Sequence, residues 1–261
     1  MINNINSENN KTKIIALSGK GGVGKTSISA CIVRLLVEQY PDKRILAIDA
    51  DPAVGLATAL GIEAGETIDD IRKEVVGTVE NGDTKSAIEL LGEAQYKISD
   101  AIVEQDGFAF IEIGRPESAG CYCKINTYLK EVIQILSKNF DYVVIDGEAG
   151  MEQINRRVME KVTHLILVTD PTKKGIQVIN TIKSVADELV MYEKIGVIVN
   201  RVSDISLKEY IDTGDISVLS YILTDTDLAA FDLTGKNVFF LPETSEIVKG
   251  VREALERMEI I

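Results

Sequence analysis

The sequence lacks several features that mark particular classes of protein. Its three cysteines are too few for the disulfide framework of a secreted scaffold. No apolar run approaches the roughly 20 residues that a membrane span needs. The first thirteen residues are polar and lack the apolar stretch of a signal peptide. We therefore predict a cytoplasmic protein without a membrane anchor, in which residues 1–11 form a flexible tail.

Positive charge is also scarce. The 261 residues contain 28 lysines and arginines against 41 aspartates and glutamates, which gives a formal net charge of −13. An acidic chain is poorly suited to bulk contact with nucleic acid or with anionic lipid, so we expect neither as a partner. No proline-rich linker or low-complexity stretch divides the sequence. Residues 12–261 are predicted to form a single domain.

Short apolar runs alternate with helical patterns along the whole chain. The predicted strands are 13–18, 44–49, 109–113, 142–146, 164–169, 195–199, 217–223 and 238–241. The predicted helices lie near 25–40, 84–104, 127–138, 150–161, 175–192 and 243–258. Most of the strands are continuously apolar, as strands buried on both faces are. The alternation predicts an α/β fold with one doubly wound, mostly parallel sheet and helices on both faces.

The most informative motif is the glycine-rich turn GKGGVGKT at 19–26, which follows the first predicted strand and opens the first helix. Its glycines allow backbone N–H groups to surround phosphates, and the helix N-terminus adds its dipole. Lys25 is expected to reach the β- and γ-phosphates, and Thr26 to bind Mg²⁺. The motif predicts a P-loop whose nucleotide-binding residues are Gly21, Gly22, Val23, Gly24, Lys25, Thr26 and Ser27.

Carboxylates follow two of the predicted strands. Asp49 and Asp51 stand at the end of strand 44–49, and Asp146 ends strand 142–146. Beside a phosphate-binding turn, such carboxylates hold Mg²⁺ and orient the attacking water. We predict that Asp146 and Asp49 serve the magnesium ion, Asp49 through water ligands or by supporting its loop. Asp51 is predicted to act in catalysis by positioning the hydrolytic water, and Lys25 is also a predicted catalytic residue.

Lys20 is an additional lysine directly after the first glycine of the motif. Together with Asp49–Pro52 and Asp146–Gly150, it resembles the deviant Walker A ATPases, such as ParA, MinD and the nitrogenase iron protein, over roughly 12–261. The resemblance implies a homodimer that hydrolyses Mg-ATP to ADP and phosphate. It further implies that Lys20 acts in catalysis by reaching the nucleotide of the partner subunit. The adenine contacts that it implies are Asn200, Arg201, Pro242 and Glu243.

Cys121 and Cys123 lie in the segment GRPESAGCYC at 114–123, whose glycines and proline oppose helix formation. Side chains two residues apart lie on the same side of an extended segment. A helix is predicted to begin near Asn126, so its N-terminal dipole and Lys124 favour thiolates. Two thiolates do not complete a tetrahedral site, but two loops that meet at a dimer axis supply four sulfurs.

Soft thiolate ligands suit several metals. Zn²⁺, Ni²⁺, Cu(I) and an iron–sulfur cluster all fit, and the spacing does not choose among them. A redox-active pair and two ordinary loop cysteines are the alternatives without metal. Cys31 and His164, the only histidine, fall on apolar patterns. Both are predicted to be core or strand-edge residues, not metal ligands.

The deviant P-loop with Lys20, the GRPESAGCYC segment and the IDGEAGME segment at 145–152 together resemble the CooC-type nickel-insertion ATPases. This resemblance implies a metallochaperone with metal bound by Cys121 and Cys123 between two subunits. ATP binding or hydrolysis is coupled to dimerisation and to metal delivery, and the client is carbon monoxide dehydrogenase or acetyl-CoA synthase. Two alternatives stay open: an iron–sulfur carrier or reductase resembling the nitrogenase iron protein, and a positioning ATPase of the ParA or MinD kind.

Overall fold

The computed structural model describes residues 11–51, 55–63, 65–80, 92–93, 96–114, 123–147, 158, 160–189 and 191–261. Within these residues, eight strands form one sheet: β1 (Lys13–Gly19), β2 (Ile45–Asp49), β3 (Val103–Gln105), β4 (Phe108–Glu112), β5 (Tyr142–Asp146), β6 (Val162–Thr169), β7 (Tyr192–Val202) and β8 (Val218–Leu223). The strand order is β3-β4-β2-β5-β1-β6-β7-β8. All neighbours are parallel except β3 and β4.

The helices connect the parallel strands and lie on both faces of the sheet. They are α1 (Lys25–Gln39), α2 (Leu56–Leu60), α3 (Ile68–Glu80), α4 (Cys123–Ser137), α5 (Lys173–Glu188), α6 (Thr226–Thr234) and α7 (Glu246–Arg257). Two 3₁₀ turns, Ile205–Tyr210 and Val238–Phe240, complete the described elements. No helix among the described residues is long and apolar enough to cross a membrane.

Alternating side chains of the central strands enter two separate hydrophobic layers. Leu17 of β1 and Val144 of β5 pack on the side of α1 and α7, whereas Ala16 and Val143 pack on the other side. On the α1 side, apolar residues recur at helical spacing and are fully buried: Ile28, Ile32, Leu35 and Leu36. Burial on both faces explains why the central strands read as continuous apolar runs. The predicted doubly wound, mostly parallel α/β fold is confirmed.

Two predicted elements differ from the structure. The predicted strand 238–241 is wrong, because 238–240 form a 3₁₀ turn. Asn237 caps this turn by accepting a hydrogen bond from the N–H of Phe239. The end of the predicted helix 84–104 is also wrong, because Val103–Gln105 pair with β4 as an antiparallel hairpin. Gly107, with φ of +88°, makes the tight turn between these strands.

Other boundaries also shift. Helix α4 begins at Cys123, so the prediction that Asn126 precedes the helix as its cap is wrong. The breakers Gly114, Pro116 and Gly120 all lie before Cys123, which leaves the following residues free to be helical. Helices α2, α3 and α6 are absent from the sequence prediction. Most of the predicted helix 150–161, residues 84–91 and 94–95 of the predicted helix 84–104, and residues 1–10 of the predicted tail lie outside the described residues.

Candidate functional site

The glycine-rich turn joins the end of β1 to the start of α1 at the carboxyl edge of the sheet. Close packing requires glycine at two of its positions. A Cβ on Gly19 would lie 2.0 Å from the carbonyl oxygen of Val168 on β6, and a Cβ on Gly24 would lie 2.6 Å from Nδ2 of Asn200. Gly24 also has a left-handed φ of +93°. Gly21 and Gly22 are exposed, so the backbone of the turn is accessible to a ligand.

Lys25 begins α1, and its side chain lies within the turn. It is only 6% exposed, and its Nζ donates to the carbonyl oxygens of Gly19 and Lys20, each at 3.3 Å. These long hydrogen bonds to backbone carbonyls of the turn replace part of the hydration that the ammonium loses when it is buried. An anion that enters the turn offers this ammonium stronger, charge-assisted hydrogen bonds than the two carbonyls do.

Asp146 ends β5 beside α1 and is fully buried. Its Oδ1 accepts a hydrogen bond from the Ser29 hydroxyl at 2.9 Å, whereas its Oδ2 has no hydrogen-bond partner. Burial raises the pKa of Asp146 to about 7, although the nearby hydroxyls of Thr26 and Ser29 act to lower it. A buried carboxylate oxygen without a partner is costly unless a cation satisfies it. With the Thr26 hydroxyl close by, the site fits a hard cation that prefers oxygen ligands, such as Mg²⁺.

Asp49 ends β2, the neighbour of β5, and both of its carboxylate oxygens accept backbone hydrogen bonds. The donors are the N–H groups of Asp51, at 3.1 Å, and Leu56, at 3.0 Å. Burial raises the pKa of Asp49 to about 6. The loop that it supports passes beside the phosphate turn, since a Cβ on Gly55 would lie 3.2 Å from Cγ2 of Thr26. Asp49 thus holds the backbone at Asp51 and Leu56, on either side of residues 52–54, and Asp51 is half-buried. Both functions predicted for Asp49 stay predictions.

Glu112 is a third strand-end acid, and the sequence analysis missed it. It ends β4 and pairs in register with Asp49, which pairs in turn with Asp146 on the other side. Paired residues of parallel strands point to the same face, so all three carboxylates lie on the α1 side of the sheet. Burial, with the nearby Asp49 and Asp70 carboxylates, raises the pKa of Glu112. Its position at the end of the apolar run FAFIE was the available signal.

Lys20 forms an ion pair within its own chain. Its Nζ lies 3.0 Å from Oδ2 of Asp170, which directly follows β6. The other oxygen of Asp170 accepts hydrogen bonds from the N–H and hydroxyl of Thr172, the cap of α5. Burial opposes ionisation of Asp170, but the hydrogen bonds from Thr172 and Lys20 outweigh it, and the pKa lies below its usual value. Asp170 was also missed, although it too follows a predicted strand.

The four positions predicted to contact adenine form two pairs, Asn200 and Arg201 in β7, and Pro242 and Glu243 after the 3₁₀ turn Val238–Phe240. Asn200 is the last residue of the continuous buried run in β7. Its Nδ2 donates to the Val23 carbonyl at 2.8 Å, which places it against the turn. Arg201 follows it with a left-handed φ of +60° and is exposed. Pro242 and Glu243 are exposed beyond the 3₁₀ turn Val238–Phe240, and Glu243 pairs with Arg252 at 2.8 Å and with Arg34 of α1.

The predicted cysteine site is only partly within the described residues. Cys121 lies outside them, and Cys123 is the first residue of α4, with its side chain left undescribed. Across the part of the chain that the structure describes, no group of three or more histidine, cysteine or acidic side chains could hold a metal ion. Cys31 is fully buried in α1 and His164 is 6% exposed in β6, so their assignment to the core is confirmed.

Comparisons with known proteins agree with this geometry. The model of the CobQ/CobB/MinD/ParA nucleotide binding domain matches residues 14–238. An uncharacterized ATP-binding protein of Methanocaldococcus jannaschii is 36% identical over 250 residues, which cover 94% of this chain and 98% of that protein. The carbon monoxide dehydrogenase accessory protein CooC of Rhodospirillum rubrum is 28% identical over 240 residues, which cover 87% of this chain and 89% of CooC.

The fold also matches solved structures. The septum site-determining protein MinD of Pyrococcus horikoshii, complexed with Mg-ADP, superposes with a TM-score of 0.69 at 23% identity. The superposition covers 95% of this chain and 96% of that one. The chain belongs to the CobQ/CobB/MinD/ParA nucleotide-binding family and is an ATPase of the MinD/ParA type.

Proposed function

We propose that this ATPase is a metallochaperone, which binds nickel or another thiophilic metal between two subunits and couples ATP to its delivery. The observation that carries the proposal is the Cys121/Cys123 pair in a chain with a deviant P-loop. The described structure supports it by position. The cysteine segment starts after β4, whose end pairs with Asp49 at the carboxyl edge of the sheet. The nucleotide turn and the cysteine segment thus both begin at the carboxyl edge of the sheet, after β1 and after β4. Ligands of such sheets bind at this edge.

The residues of the turn fit Mg-ATP. The backbone of 21–24 would surround the phosphates, and Lys25 would exchange its two carbonyl acceptors for phosphate oxygens. Thr26 and the unpartnered oxygen of Asp146 would hold Mg²⁺, which neutralises phosphate charge when bound. Asp49 would support the ion indirectly through its loop, and Asp51 on that loop would orient the attacking water. The base would contact Asn200, Arg201, Pro242 and Glu243.

Dimerisation gives Lys20 its function in this proposal. A cation that is supplied by the partner stabilises transition-state charge only when the two subunits have closed. Lys20 must leave Asp170 to reach that position, so the ion pair at 3.0 Å opposes closure of the nucleotide-free protein. Closure would bring two cysteine segments together and would supply four thiolates for one metal. The proposed client that receives the metal is a carbon monoxide dehydrogenase or an acetyl-CoA synthase.

Anaerobic titration with Ni²⁺ and with Zn²⁺, together with the mass of the oligomer with and without ATP, tests the proposal. The wild type is expected to bind one metal ion per dimer, and a Cys121→Ser/Cys123→Ser variant to bind it at least about 100-fold more weakly. Cys31→Ala is the matched control, because Cys31 is fully buried in α1 and its removal should leave metal affinity unchanged.

Three results would contradict the proposal. A wild type that binds neither metal would exclude a metallochaperone, as would a double variant that binds as tightly as the wild type. An anaerobically purified dimer that carries a coloured iron–sulfur chromophore, lost in the double variant, would favour the carrier or reductase function, since four thiolates also suit such a cluster.

A further inference from the structure

Arg34 lies in the middle of α1, and its guanidinium is almost completely buried, with 5% of the side chain exposed. Each of its three nitrogens has an acceptor. Nη1 donates to the carbonyl oxygens of Val238, at 3.1 Å, and Leu241, at 2.7 Å, and Nη2 pairs with Glu243. Nε donates to Glu38 at 2.6 Å, one turn further along α1. A buried guanidinium is stable only with such partners, and three of the four belong to segment 238–243.

Segment 238–243 has little regular structure of its own. One 3₁₀ turn is its only described element, and it is held to α1 by the hydrogen bonds of Arg34 and by the buried side chains of Val238 and Leu241. Leu241 is buried, whereas Phe240 is 72% exposed and Pro242 is exposed. The exposed ring of Phe240 and the exposed ring of Pro242, two residues later, offer flat apolar surfaces, which are suited to a planar heterocycle.

Helix α1 joins this segment to the phosphate turn. The helix begins at Lys25, and Arg34 follows nine residues later on the same rigid element. The fork of the Arg34 guanidinium donates to two carbonyls and a carboxylate in one fixed geometry, which a lysine ammonium does not reproduce. Arg34 therefore fixes where segment 238–243 stands relative to the turn.

We propose that Arg34 is a positioning residue for the nucleotide base, because it holds segment 238–243 where Pro242 and Glu243 meet a purine. The proposal rests on the base contacts that are included in the proposed function. Arg34 makes no described hydrogen bond to the phosphate turn, so it contributes to recognition of the base and not of the phosphates. Loss of Arg34 should therefore weaken binding of ATP but not binding of a phosphate chain without a base. A general loss of structure would weaken both.

The test compares ATP with inorganic tripolyphosphate, a phosphate chain without a base, by calorimetric titration in the presence of Mg²⁺. In Arg34→Lys, the Kd of ATP is expected to rise at least about ten-fold, whereas the Kd of tripolyphosphate stays within about two-fold of the wild type. Arg34→Met should show the same separation. Glu38→Gln is the matched control, because it removes a partner of Arg34 on α1 and leaves the bonds to segment 238–243 intact.

Retained tripolyphosphate binding shows that the turn is folded in each variant. Should Arg34→Met fail to fold, Arg34→Lys decides the question, since it keeps a cation in the same place. An unchanged Kd of ATP in Arg34→Lys, or an equal loss for both ligands, would overturn the inference. A wild type that binds ATP no more tightly than tripolyphosphate would instead refute the base contacts themselves, and the metal titration would be unaffected.

Discussion

Replacing Lys20 with alanine is expected to lower the kcat of ATP hydrolysis by about 10³-fold, with the affinity of the monomer for ATP within about two-fold of the wild type. The reason is the position of the side chain. Lys20 pairs with Asp170 of its own chain and makes no described contact within the phosphate turn through its ammonium. The proposed function therefore places its contribution to the nucleotide across the dimer. Single-turnover hydrolysis and equilibrium ATP binding measure the two quantities separately.

Lys25→Ala provides the matched comparison for Lys20→Ala. Lys25 is buried within the turn, and its Nζ already lies where phosphates are expected. Its loss should weaken ATP binding itself, so that both binding and hydrolysis fall together. Hydrolysis by Lys20→Ala at the wild-type rate would refute catalysis by this lysine across the dimer.

Asp170→Asn is expected to strengthen the ATP-dependent dimer. The ion pair between Lys20 and Asp170 is partly exposed, at 32% and 21% of the two side chains, so it stabilises the open form only modestly. Releasing each lysine should tighten the ATP-dependent dimer by at most about five-fold, which makes at most about 25-fold for the two lysines of a dimer. Sedimentation equilibrium with ATP measures this constant. A weaker dimer in Asp170→Asn would show that Asp170 supports closure and does not compete with it.

The sequence predicted the parts of the fold that depend on local pattern. Seven strands of the central sheet and the P-loop helix follow from apolar runs and from the glycine-rich turn, because burial on both faces leaves a continuous signal. The strand predicted at 238–241 is wrong for a reason that is invisible locally. Its carbonyls bind Arg34, which is about 200 residues away in the chain and was treated only as part of α1.

The two acids that were missed also depend on contacts between distant parts of the chain. Glu112 and Asp170 matter because of their neighbours, Asp49 on the adjacent strand and Lys20 on the turn. Such pairs are set by strand order and register, which a single sequence does not specify. Asp49, Asp51 and Asp146 were predicted as site residues because they stand at the ends of predicted strands and in the segments that carry the family resemblance. The metal ligands Cys121 and Cys123 remain predictions from sequence and resemblance.

Asp146→Asn is expected to reduce Mg²⁺-dependent hydrolysis by about 10²–10³-fold or more and also to stabilise the nucleotide-free protein above pH 7. Both effects have one cause, the buried oxygen without a partner. With Mg²⁺ and ATP bound, this oxygen is proposed to be a ligand, so its loss removes the ion. In the free protein it is an unsatisfied buried charge, and an amide that keeps the Ser29 hydrogen bond removes that charge.

The sign of the pH dependence follows from the pKa of Asp146. Its ordinary value of 3.8 applies to the unfolded chain, whereas the folded value is about 7. Between these values the folded protein binds the extra proton, so the free energy of unfolding decreases as the pH rises from about 4 to about 7. The decrease from this group is on the order of 4 kcal/mol at most, at about 1.4 kcal/mol for each pKa unit. Asp49, whose pKa is about 6, adds a decrease of the same sign.

Urea unfolding at pH 5 and at pH 8, without nucleotide or Mg²⁺, measures this dependence. The wild type should lose stability between the two pH values, and Asp146→Asn should lose less, because the contribution of Asp146 is absent from the variant. Ser29→Ala is the control, since it removes a hydrogen bond to Asp146 but leaves the titrating carboxyl in place. A pH dependence in Asp146→Asn equal to that of the wild type would refute the assignment of the proton to Asp146. If the difference in pH dependence between the wild type and Asp146→Asn vanishes when Mg-ATP is added, the same carboxyl also binds the Mg²⁺ ion.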